Sequence, residues 1–337
     1  MLDVGRNPAR YLVTGGAGFI GSHLVEALLH RGQKVRVLDN LSTGKRDNLS
    51  FLSRLPEEAA GNCELRVGDV RDLNTVRKST VGVDYILHHA ALGSVERSVE
   101  DPIASNDVNV GGTLNVLKAA LENQVRGIVY ASSSSVYGAA PTLPRDEDQF
   151  PAPLSPYAAS KLAGEHYCLV FAKTYGLSIV GLRYFNVFGP RQDPESRYSA
   201  VIPRFIDAAL HDRLLEIHGD GLQTRDFTYV ENVVDANLRA IEALALADSG
   251  GVFNIACGET YSVLDLVSFL SQLLGKNLRM IHTEPRKGDV RDSVAKITKA
   301  EQRLGYRPKT TFVEGLRRTI AYYRNHQGEM NDDRHLR

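Results

Sequence analysis

Two residues of this chain, Tyr157 and Lys161, have the type and spacing needed to move a proton. Residues four positions apart share one face of a helix, so a helix here would bring the phenol and the ammonium together. A free phenol, with a pKa of ~10, is a poor base at neutral pH, but a nearby positive charge favours its ionised form. Tyr157 is therefore a candidate general acid/base, with Lys161 as the residue that activates it.

Such a pair also occurs by chance on helix surfaces, so its surroundings matter. A serine-rich run, Ala131–Gly138, ends the fifth predicted strand and precedes the helix of Tyr157. Ligands of open α/β sheets bind at the carboxyl ends of the strands. Ser133 in this run is therefore a candidate hydrogen-bond partner of the oxygen whose proton Tyr157 would take.

A glycine-rich turn, residues 15–21, directly follows the first predicted strand, Arg10–Thr14, and opens a predicted helix. Gly15 permits the tight turn, Gly18 lets the backbone approach a pyrophosphate, and Gly21 lets the helix pack close to the strand. The amino terminus of the helix then faces the phosphates. In this strand-turn-helix context the motif predicts a dinucleotide site.

Asp39 ends the second predicted strand, 18 residues after Gly21. A carboxylate there accepts hydrogen bonds from the adenosine ribose hydroxyls and would repel a 2′-phosphate, which favours NAD over NADP. Asp69, after the third strand, could contact the adenine or cap the next helix, and the sequence leaves both open.

Short apolar runs alternate with amphipathic stretches, which predicts a Rossmann-like, doubly wound parallel α/β sheet with a smaller C-terminal α/β substrate lobe. We expect an NAD-binding domain over residues 1–185, a mainly substrate-binding lobe over 186–325 and a loose polar tail over 326–337. The predicted strands are Arg10–Thr14, Lys34–Asp39, Glu64–Val67, Val83–His88, Gly127–Ser132, Ser178–Arg183, Leu214–His218, Val252–Ile255 and Leu278–His282. The predicted helices are Phe19–Arg31, Asn106–Asn123, Tyr157–Tyr175, Val201–Leu210, Glu231–Ala245, Val263–Leu274 and Val313–Tyr323.

The 40 basic and 40 acidic residues among 337 balance, so nothing suggests a nucleic-acid or membrane surface. The first ten residues lack an apolar signal core, and no apolar run reaches the ~18 residues of a membrane span. Cys63, Cys168 and Cys257 show no paired spacing, so we expect buried thiols in reduced cytoplasm, with no disulfide and no metal.

These motifs together resemble the extended short-chain dehydrogenase/reductase family, from Tyr11 to about Tyr323, and most of all its UDP-hexose 4-epimerases. The resemblance implies bound NAD and a nucleotide-sugar substrate. It implies cofactor contacts from Gly15, Gly18, Phe19, Ile20, Asp39, Asn40, Ser42, Thr43, Gly44, Asp69, Val70, His89, Ala90, Ala91, Asn109, Tyr157, Lys161 and Tyr184.

Two serines narrow the chemistry within this family. Related 4,6-dehydratases and UDP-glucuronate decarboxylases carry acidic residues just before Val-Tyr-Gly, where this chain has Ser134 and Ser135. A serine is no carboxylate base at neutral pH, so elimination and decarboxylation are disfavoured. Reversible oxidation at one carbon, as a 4-epimerase requires, remains.

The resemblance also assigns the substrate contacts. Asn186 and the arginines Arg225 and Arg286 match the diphosphate-binding residues, and guanidinium groups suit a doubly charged pyrophosphate. Asp289 matches the acidic residue near the uridine ribose. The further implied contacts are Gly93, Ser94, Ser133, Ser134, Ser135, Tyr157, Ala200, Val201 and Ser293.

Ser293 bears on the choice of sugar. Epimerases restricted to non-acetylated sugars have a bulky tyrosine here, whereas a small residue leaves room for an N-acetyl group. The segments 89–95 and 154–157 also resemble UDP-N-acetylglucosamine 4-epimerases. Two alternatives for Ser293 stay open, namely that it lines no pocket or that Arg291 fills the space. Lys296 departs from the aspartate more usual in the family.

Three other functions stay as alternatives: a UDP-glucose 4-epimerase restricted to plain sugars, a UDP-glucuronate 4-epimerase and a non-catalytic NAD-binding regulator. The glucuronate enzymes usually have threonine in place of Asn186, and regulators often lack the Tyr-Lys pair. The resemblance further implies a homodimer joined through the helices Asn106–Asn123 and Tyr157–Tyr175.

Overall fold

The computed structural model describes residues 8–194, 196, 200–246, 250–284 and 291–332. Its strands are β1 (Arg10–Thr14), β2 (Lys34–Asp39), β3 (Cys63–Val67), β4 (Tyr85–His88), β5 (Gly127–Ser133), β6 (Ile179–Tyr184), β7 (Val187–Phe188), β8 (Leu215–His218), β9 (Thr224–Arg225), β10 (Thr228–Tyr229), β11 (Gly251–Ile255), β12 (Tyr261–Ser262), β13 (Met280–Thr283) and β14 (Asp292–Ser293).

Its α-helices are α1 (Phe19–Leu29), α2 (Glu57–Gly61), α3 (Leu73–Thr80), α4 (Val95–Glu100), α5 (Pro102–Asn106), α6 (Gly112–Glu122), α7 (Pro156–Tyr175), α8 (Val201–Leu210), α9 (Val230–Ala245), α10 (Val263–Leu274), α11 (Thr298–Leu304) and α12 (Phe312–Asp332). Two 3₁₀ segments, Arg46–Arg54 and Ser134–Tyr137, and one π-helical segment, Asp107–Gly111, complete the described elements.

Seven parallel strands form the central sheet in the order β11-β6-β5-β4-β1-β2-β3. The direction of winding reverses between β1 and β4, and a ligand crevice is expected at the carboxyl ends of the strands there. Helices cover both faces, and the apolar residues of β1, β4 and β5 are buried. The predicted doubly wound α/β fold is confirmed.

Strand β11 differs from the prediction in its location. The predicted strand Val252–Ile255 was assigned to the smaller lobe, but the structure pairs it in parallel with β6 at the edge of the central sheet. Helix α9 also packs against β5 and β6. The chain therefore returns to the central sheet after residue 186, where α9 packs its apolar residues against those of β5 and β6.

The smaller lobe has its own core and three small sheets. Phe188, Phe227 and Phe312 form an aromatic cluster in which the last two rings stack with centroids 5.1 Å apart. The small sheets pair β7 with β10, β8 with β13, and β9 with both β12 and β14. This arrangement brings the chain near Arg225 and the chain near Ser293 side by side.

Two predicted helices differ from the observed ones by more than two residues at one end. The helix predicted over Asn106–Asn123 begins earlier, at Pro102, where Asp101 caps it by accepting from the Ala104 amide at 2.9 Å. It then passes through the π-helical segment before α6. The last helix was predicted to end at Tyr323 but continues to Asp332, into the segment where a loose tail was expected. A polar sequence without proline is no stop signal for an anchored helix.

Within the described ranges, no helix is both long and apolar enough to span a membrane. The same part of the chain holds no group of three histidine, cysteine or acidic side chains arranged for a metal ion. Cys63, Cys168 and Cys257 are free thiols.

Candidate active site

A large cleft of about 1310 Å³ opens at the carboxyl ends of β1, β4, β5 and β6, with the smaller lobe as its other wall. Nearly all described residues predicted to bind a ligand line it. These are Gly15, Gly18, Phe19, Ile20, Asp39, Asn40, Ser42, Thr43, Gly44, Val70, His89, Ala90, Ala91, Gly93, Ser94, Ser133, Ser134, Ser135, Tyr157, Lys161, Tyr184, Asn186, Ala200, Val201, Arg225 and Ser293.

The backbone of the glycine turn passes too close to neighbouring atoms for side chains at Gly15 and Gly21. Such a close turn is what a dinucleotide-binding motif requires. Gly15 has a φ of +67°, and a Cβ there would lie 2.8 Å from the Ala90 nitrogen. A Cβ on Gly21 would lie 2.1 Å from the Gly15 oxygen. No side chain caps the amino terminus of α1, so its amide groups remain available to phosphate oxygens.

Asp39 presents its carboxylate to the cleft while two backbone amides hold it. Oδ2 accepts from the Ala17 nitrogen at 2.9 Å and Oδ1 from the Leu41 nitrogen at 2.8 Å. The loop that follows passes so close that a Cβ on Gly44 would lie 2.8 Å from both carboxylate oxygens. The remaining lone pairs of the Asp39 carboxylate can accept hydrogen bonds from ribose hydroxyls.

Two predicted cofactor contacts, Asp69 and Asn109, do not line the cleft. The Asp69 carboxylate pairs with Arg71 at 2.8 Å and accepts from Asn40 at 2.9 Å. The Arg71 hydrogen bond lowers the pKa of Asp69 to about 2. Asp69 does not cap α3, since Asp72 does so.

Asn109 supports the site from behind. Its position in the π-helical segment turns its amide toward Leu92, whose nitrogen donates to Oδ1 at 2.8 Å, and toward Ser160, whose Oγ accepts from Nδ2 at 2.9 Å. Asn109 thereby ties the cleft wall to the helix that carries Tyr157. π-Helical turns often occur at functional sites.

Tyr157 and Lys161 lie in the first two turns of α7, which Ser155 caps. The Lys161 side chain is 5% exposed, and Nζ donates to the Ala131 carbonyl at 2.9 Å. Burial lowers the pKa of Lys161 to about 8. Burial also raises the pKa of Tyr157, and the neighbouring Ser133 side chain opposes that rise.

The Ser133 hydroxyl sits at the end of β5 and faces Tyr157. It accepts from the Ser135 nitrogen at 3.2 Å and lies 2.9 Å from the Ser135 hydroxyl, which donates to it. These bonds begin the 3₁₀ segment Ser134–Tyr137 and orient Ser133. Tyr157, Ser133 and Lys161 thus converge on the cleft beside the dinucleotide cradle.

The smaller lobe supplies Asn186, Arg225 and Ser293 to the opposite wall. Asn186 has a φ of +33°, and its amide donates to the Asp226 carbonyl at 3.2 Å. Arg225 stands on β9 and Ser293 beside it on β14. The predicted diphosphate and ribose contacts Arg286 and Asp289 lie outside the described residues.

Arg291 does not fill the space beside Ser293. Its guanidinium lies 3.0 Å from the Asp220 carboxylate, and its side chain is 66% exposed. Lys296 does not line the cleft, and its Nζ pairs with Asp146 at 2.8 Å. That pair joins the loop before α7 to the segment that follows β14, and nothing in the structure explains the departure from aspartate.

Contacts between distant segments also shape the cleft, and local sequence patterns do not reveal them. Lys45 and Asp193 both line the cleft and pair across it at 3.0 Å. His89 Nε2 lies 3.0 Å from the Tyr184 hydroxyl, which also accepts from Asn237 at 2.9 Å. The hydrogen bonds of Tyr184 with His89 and Asn237 hold two aromatic rings, those of His89 and Tyr184, in the lining of the cleft.

We expect Gly21→Ala to abolish retention of NAD. The added methyl would meet the Gly15 carbonyl and force the turn open, at a cost of about 1–3 kcal/mol in stability. The measurements are NAD released per mole of purified protein and the melting temperature. Gly61→Ala is the control, since a Cβ on Gly61 meets no atom within 4 Å. Full NAD occupancy in Gly21→Ala would contradict the cradle.

Comparison with known proteins places this site in a family. A profile described as the NAD dependent epimerase/dehydratase family matches residues 11–256. The chain is 39% identical over 315 residues to a putative UDP-glucose 4-epimerase of Methanocaldococcus jannaschii, covering 93% of this chain and 98% of that one.

Two solved structures are similar in sequence and fold. One is a UDP-N-acetylglucosamine 4-epimerase from Methanobrevibacter ruminantium in complex with UDP-N-acetylmuramic acid, with TM-score 0.88, 38% identity and coverage of 95% of this chain and 100% of that one. The other is a UDP-glucuronic acid 4-epimerase from Bacillus cereus with UDP-glucuronic acid and NAD, with TM-score 0.86, 34% identity and coverage of 94% and 99%. The cradle, the Tyr-Lys helix and these matches lead to one conclusion: the chain belongs to the NAD-dependent epimerase/dehydratase family, within the extended short-chain dehydrogenases/reductases.

Proposed function

We propose that this enzyme interconverts the C4 epimers of a UDP-hexose, UDP-N-acetylglucosamine and UDP-N-acetylgalactosamine above all. The observation that carries the proposal is that Tyr157, Ser133 and buried Lys161 line the same cleft at the carboxyl end of β5. The similarity to 4-epimerases of plain, acetylated and acidic UDP-sugars supports the general reaction.

Tyr157 takes the proton of the sugar 4-hydroxyl, and Ser133 hydrogen-bonds the same oxygen as it becomes a ketone. NAD, when bound, supplies the acceptor and later the donor of the C4 hydride. The 4-keto sugar turns about its diphosphate link, which Asn186, Arg225 and Arg286 would hold. Tyr157 then returns the proton to the oxygen on the other face.

Lys161 gives Tyr157 the positive neighbour that a phenolate needs. Burial raises the pKa of Tyr157, so the phenol alone is even less acidic than in water. The Lys161 ammonium and the charge of oxidised nicotinamide oppose that effect. Because burial lowers the pKa of Lys161 to about 8, the ammonium is present below that pH and is lost above it.

The residues beside Ser133 support simple epimerisation. Ser134 and Ser135 line the cleft where elimination or decarboxylation would need an acid, and Ser135 donates its hydroxyl to Ser133. No removal of a substituent is therefore part of the proposed cycle.

The size of residue 293 supports an acetylated sugar. Ser293 is half-buried and lines the same cleft as Tyr157, while Arg291 points to Asp220. The space beside Ser293 can therefore take the N-acetyl group at C2. A UDP-glucuronate epimerase remains a second candidate, because the Bacillus cereus enzyme is 34% identical.

Tyr157→Phe should abolish interconversion while NAD stays bound, because the phenyl ring keeps the packing and removes the acidic proton. Conversion of UDP-N-acetylglucosamine by the purified protein is followed chromatographically, together with its NAD content. Tyr167→Phe is the control, as Tyr167 lies on the same helix with an exposed side chain. Near-normal turnover in Tyr157→Phe would overturn the mechanism.

Ser293→Tyr should lose activity on the acetylated pair by about 100-fold and keep it on UDP-glucose, because the ring would occupy the acetyl space. Ser293→Ala, which adds no bulk, should keep both activities. The kcat/KM values for UDP-N-acetylglucosamine, UDP-glucose and UDP-glucuronate provide the measurement. Unchanged preference in Ser293→Tyr would refute the assignment, and conversion of UDP-glucuronate alone would favour the second candidate.

We also propose a homodimer joined through the helices predicted over Asn106–Asn123 and Tyr157–Tyr175, with a contact surface that extends over α4 and α5, which pack against α7. Val99, Ile103 and Val170 are more than half exposed there, which is unusual for apolar residues on one surface. Light scattering after gel filtration should give twice the mass of the chain, and Val170→Glu should give a monomer. Val67→Glu, the same change at a similarly exposed valine on β3, is the control. A monomeric native protein would disprove the dimer.

A further inference from the structure

A buried ion pair lies directly behind the catalytic residues. Arg183 on β6 donates from Nε to Oε1 of Glu165 at 2.9 Å and from Nη2 to Oε2 at 2.8 Å. The two side chains are 5% and 2% exposed. This two-pronged geometry is the strongest arrangement of an arginine with a carboxylate.

Glu165 connects the helix of Tyr157 to the strand that holds its partners. It follows Lys161 by four residues on α7, so the two side chains are neighbours on one face. Its Oε1 also accepts a hydrogen bond from the Ser132 hydroxyl. Ser132 stands between Ala131, whose carbonyl accepts from Lys161, and Ser133.

Arg183 extends the connection to the rest of the cleft floor. Its guanidinium carbon lies 4.7 Å from the centre of the Tyr137 ring. The Tyr137 hydroxyl donates to Asn254 on β11 at 2.7 Å, and Asn254 donates to the Arg145 carbonyl at 2.9 Å. The pair therefore touches α7, β5, β6 and the 3₁₀ segment that Ser133 caps.

We infer that Glu165 and Arg183 are positioning residues for the reaction, which hold Tyr157, Lys161 and Ser133 in register and balance the charge around the Lys161 ammonium. This inference rests on the proposed function for its kinetic consequence. The charge balance itself is a property of the protein and can be measured without a sugar.

The charged groups around Lys161 show why Glu165 matters for its protonation. Among the described residues, Glu165 is the one carboxylate whose charge acts to keep Lys161 protonated. The titratable or charged groups that face Lys161 are Tyr157, Glu165 and Cys168 on α7, Tyr130 on β5, His88 and His89 on β4, and Arg183 behind Glu165 on β6.

Removing Glu165 and removing Arg183 should therefore shift the pKa of Lys161 in opposite directions. Glu165→Gln leaves an unbalanced guanidinium and lowers the pKa of Lys161, whereas Arg183→Gln leaves an unbalanced carboxylate and raises it, each by about one pH unit. The double variant Glu165→Gln/Arg183→Gln carries neither charge and should titrate close to the native protein. It also keeps the test open if a single variant folds poorly, because a buried pair can often be replaced as a whole.

The experiment is an NMR titration of the NAD-bound protein labelled with ¹³C at the lysine Cε atoms, with Lys161→Met to assign the signal. Glu122→Gln is the matched control, because Glu122 also follows a lysine by four residues and pairs with an arginine, but at the surface. It should leave the pKa of Lys161 unchanged. Shifts of Lys161 in the same direction for both single variants, or no shift, would overturn the inference.

Steady-state kinetics complete the test. Glu165→Gln should lower kcat on the order of 10- to 100-fold with little change in KM, because substrate contacts remain and only the alignment of the reacting groups is lost. As the pH rises, Glu165→Gln should also lose activity at a lower pH than the native protein does, because the pKa of its Lys161 is lower. Full kcat in Glu165→Gln would contradict positioning. Absence of epimerisation in the native protein, with the NMR shifts intact, would instead disprove the proposed function alone.

Discussion

The close packing of α7 on β5 is the constraint on which the candidate site depends. A Cβ on Gly164 would lie 2.1 Å from the Tyr130 hydroxyl, so no larger residue fits between helix and strand. That hydroxyl donates to the Lys161 carbonyl at 3.2 Å. At this separation Lys161 Nζ donates to the Ala131 carbonyl of β5, and Tyr157 and Ser133 line the same cleft. If α7 lay farther from β5, Lys161 and Tyr157 would be too distant from this strand to act with it.

The two lobes contribute to the cleft through connections that cross between them. Strand β11 completes the central sheet although it lies late in the chain, and Asn254 within it bonds the loop before α7. Asp226 accepts from the Cys257 and Gly258 nitrogens at 2.9 Å each. Burial raises the pKa of Asp226 to about 6. The residues that follow β11 thus anchor the part of the cleft wall that carries Arg225.

Local patterns predicted much of this architecture. The glycine turn, Asp39 and the Tyr157–Lys161 spacing depend on neighbouring residues and standard backbone geometry, and the structure brings all of them to one cleft. The sequence did not reveal features that depend on distant segments. The contacts of Asn109 with Leu92 and Ser160, the return of β11 to the sheet and the Lys45–Asp193 pair all join parts of the chain far apart in sequence.

The central claim is that hydride leaves C4 and returns to C4 of the same sugar while Tyr157 moves only the hydroxyl proton. The most direct test is incubation of the purified protein with UDP-N-acetylglucosamine that carries deuterium at C4, followed by mass spectrometry and NMR of both epimers. We expect UDP-N-acetylgalactosamine with the deuterium fully retained at C4, since Tyr157 exchanges a proton with oxygen and never with carbon. Loss of the label to water, or an unchanged sugar, would contradict the account.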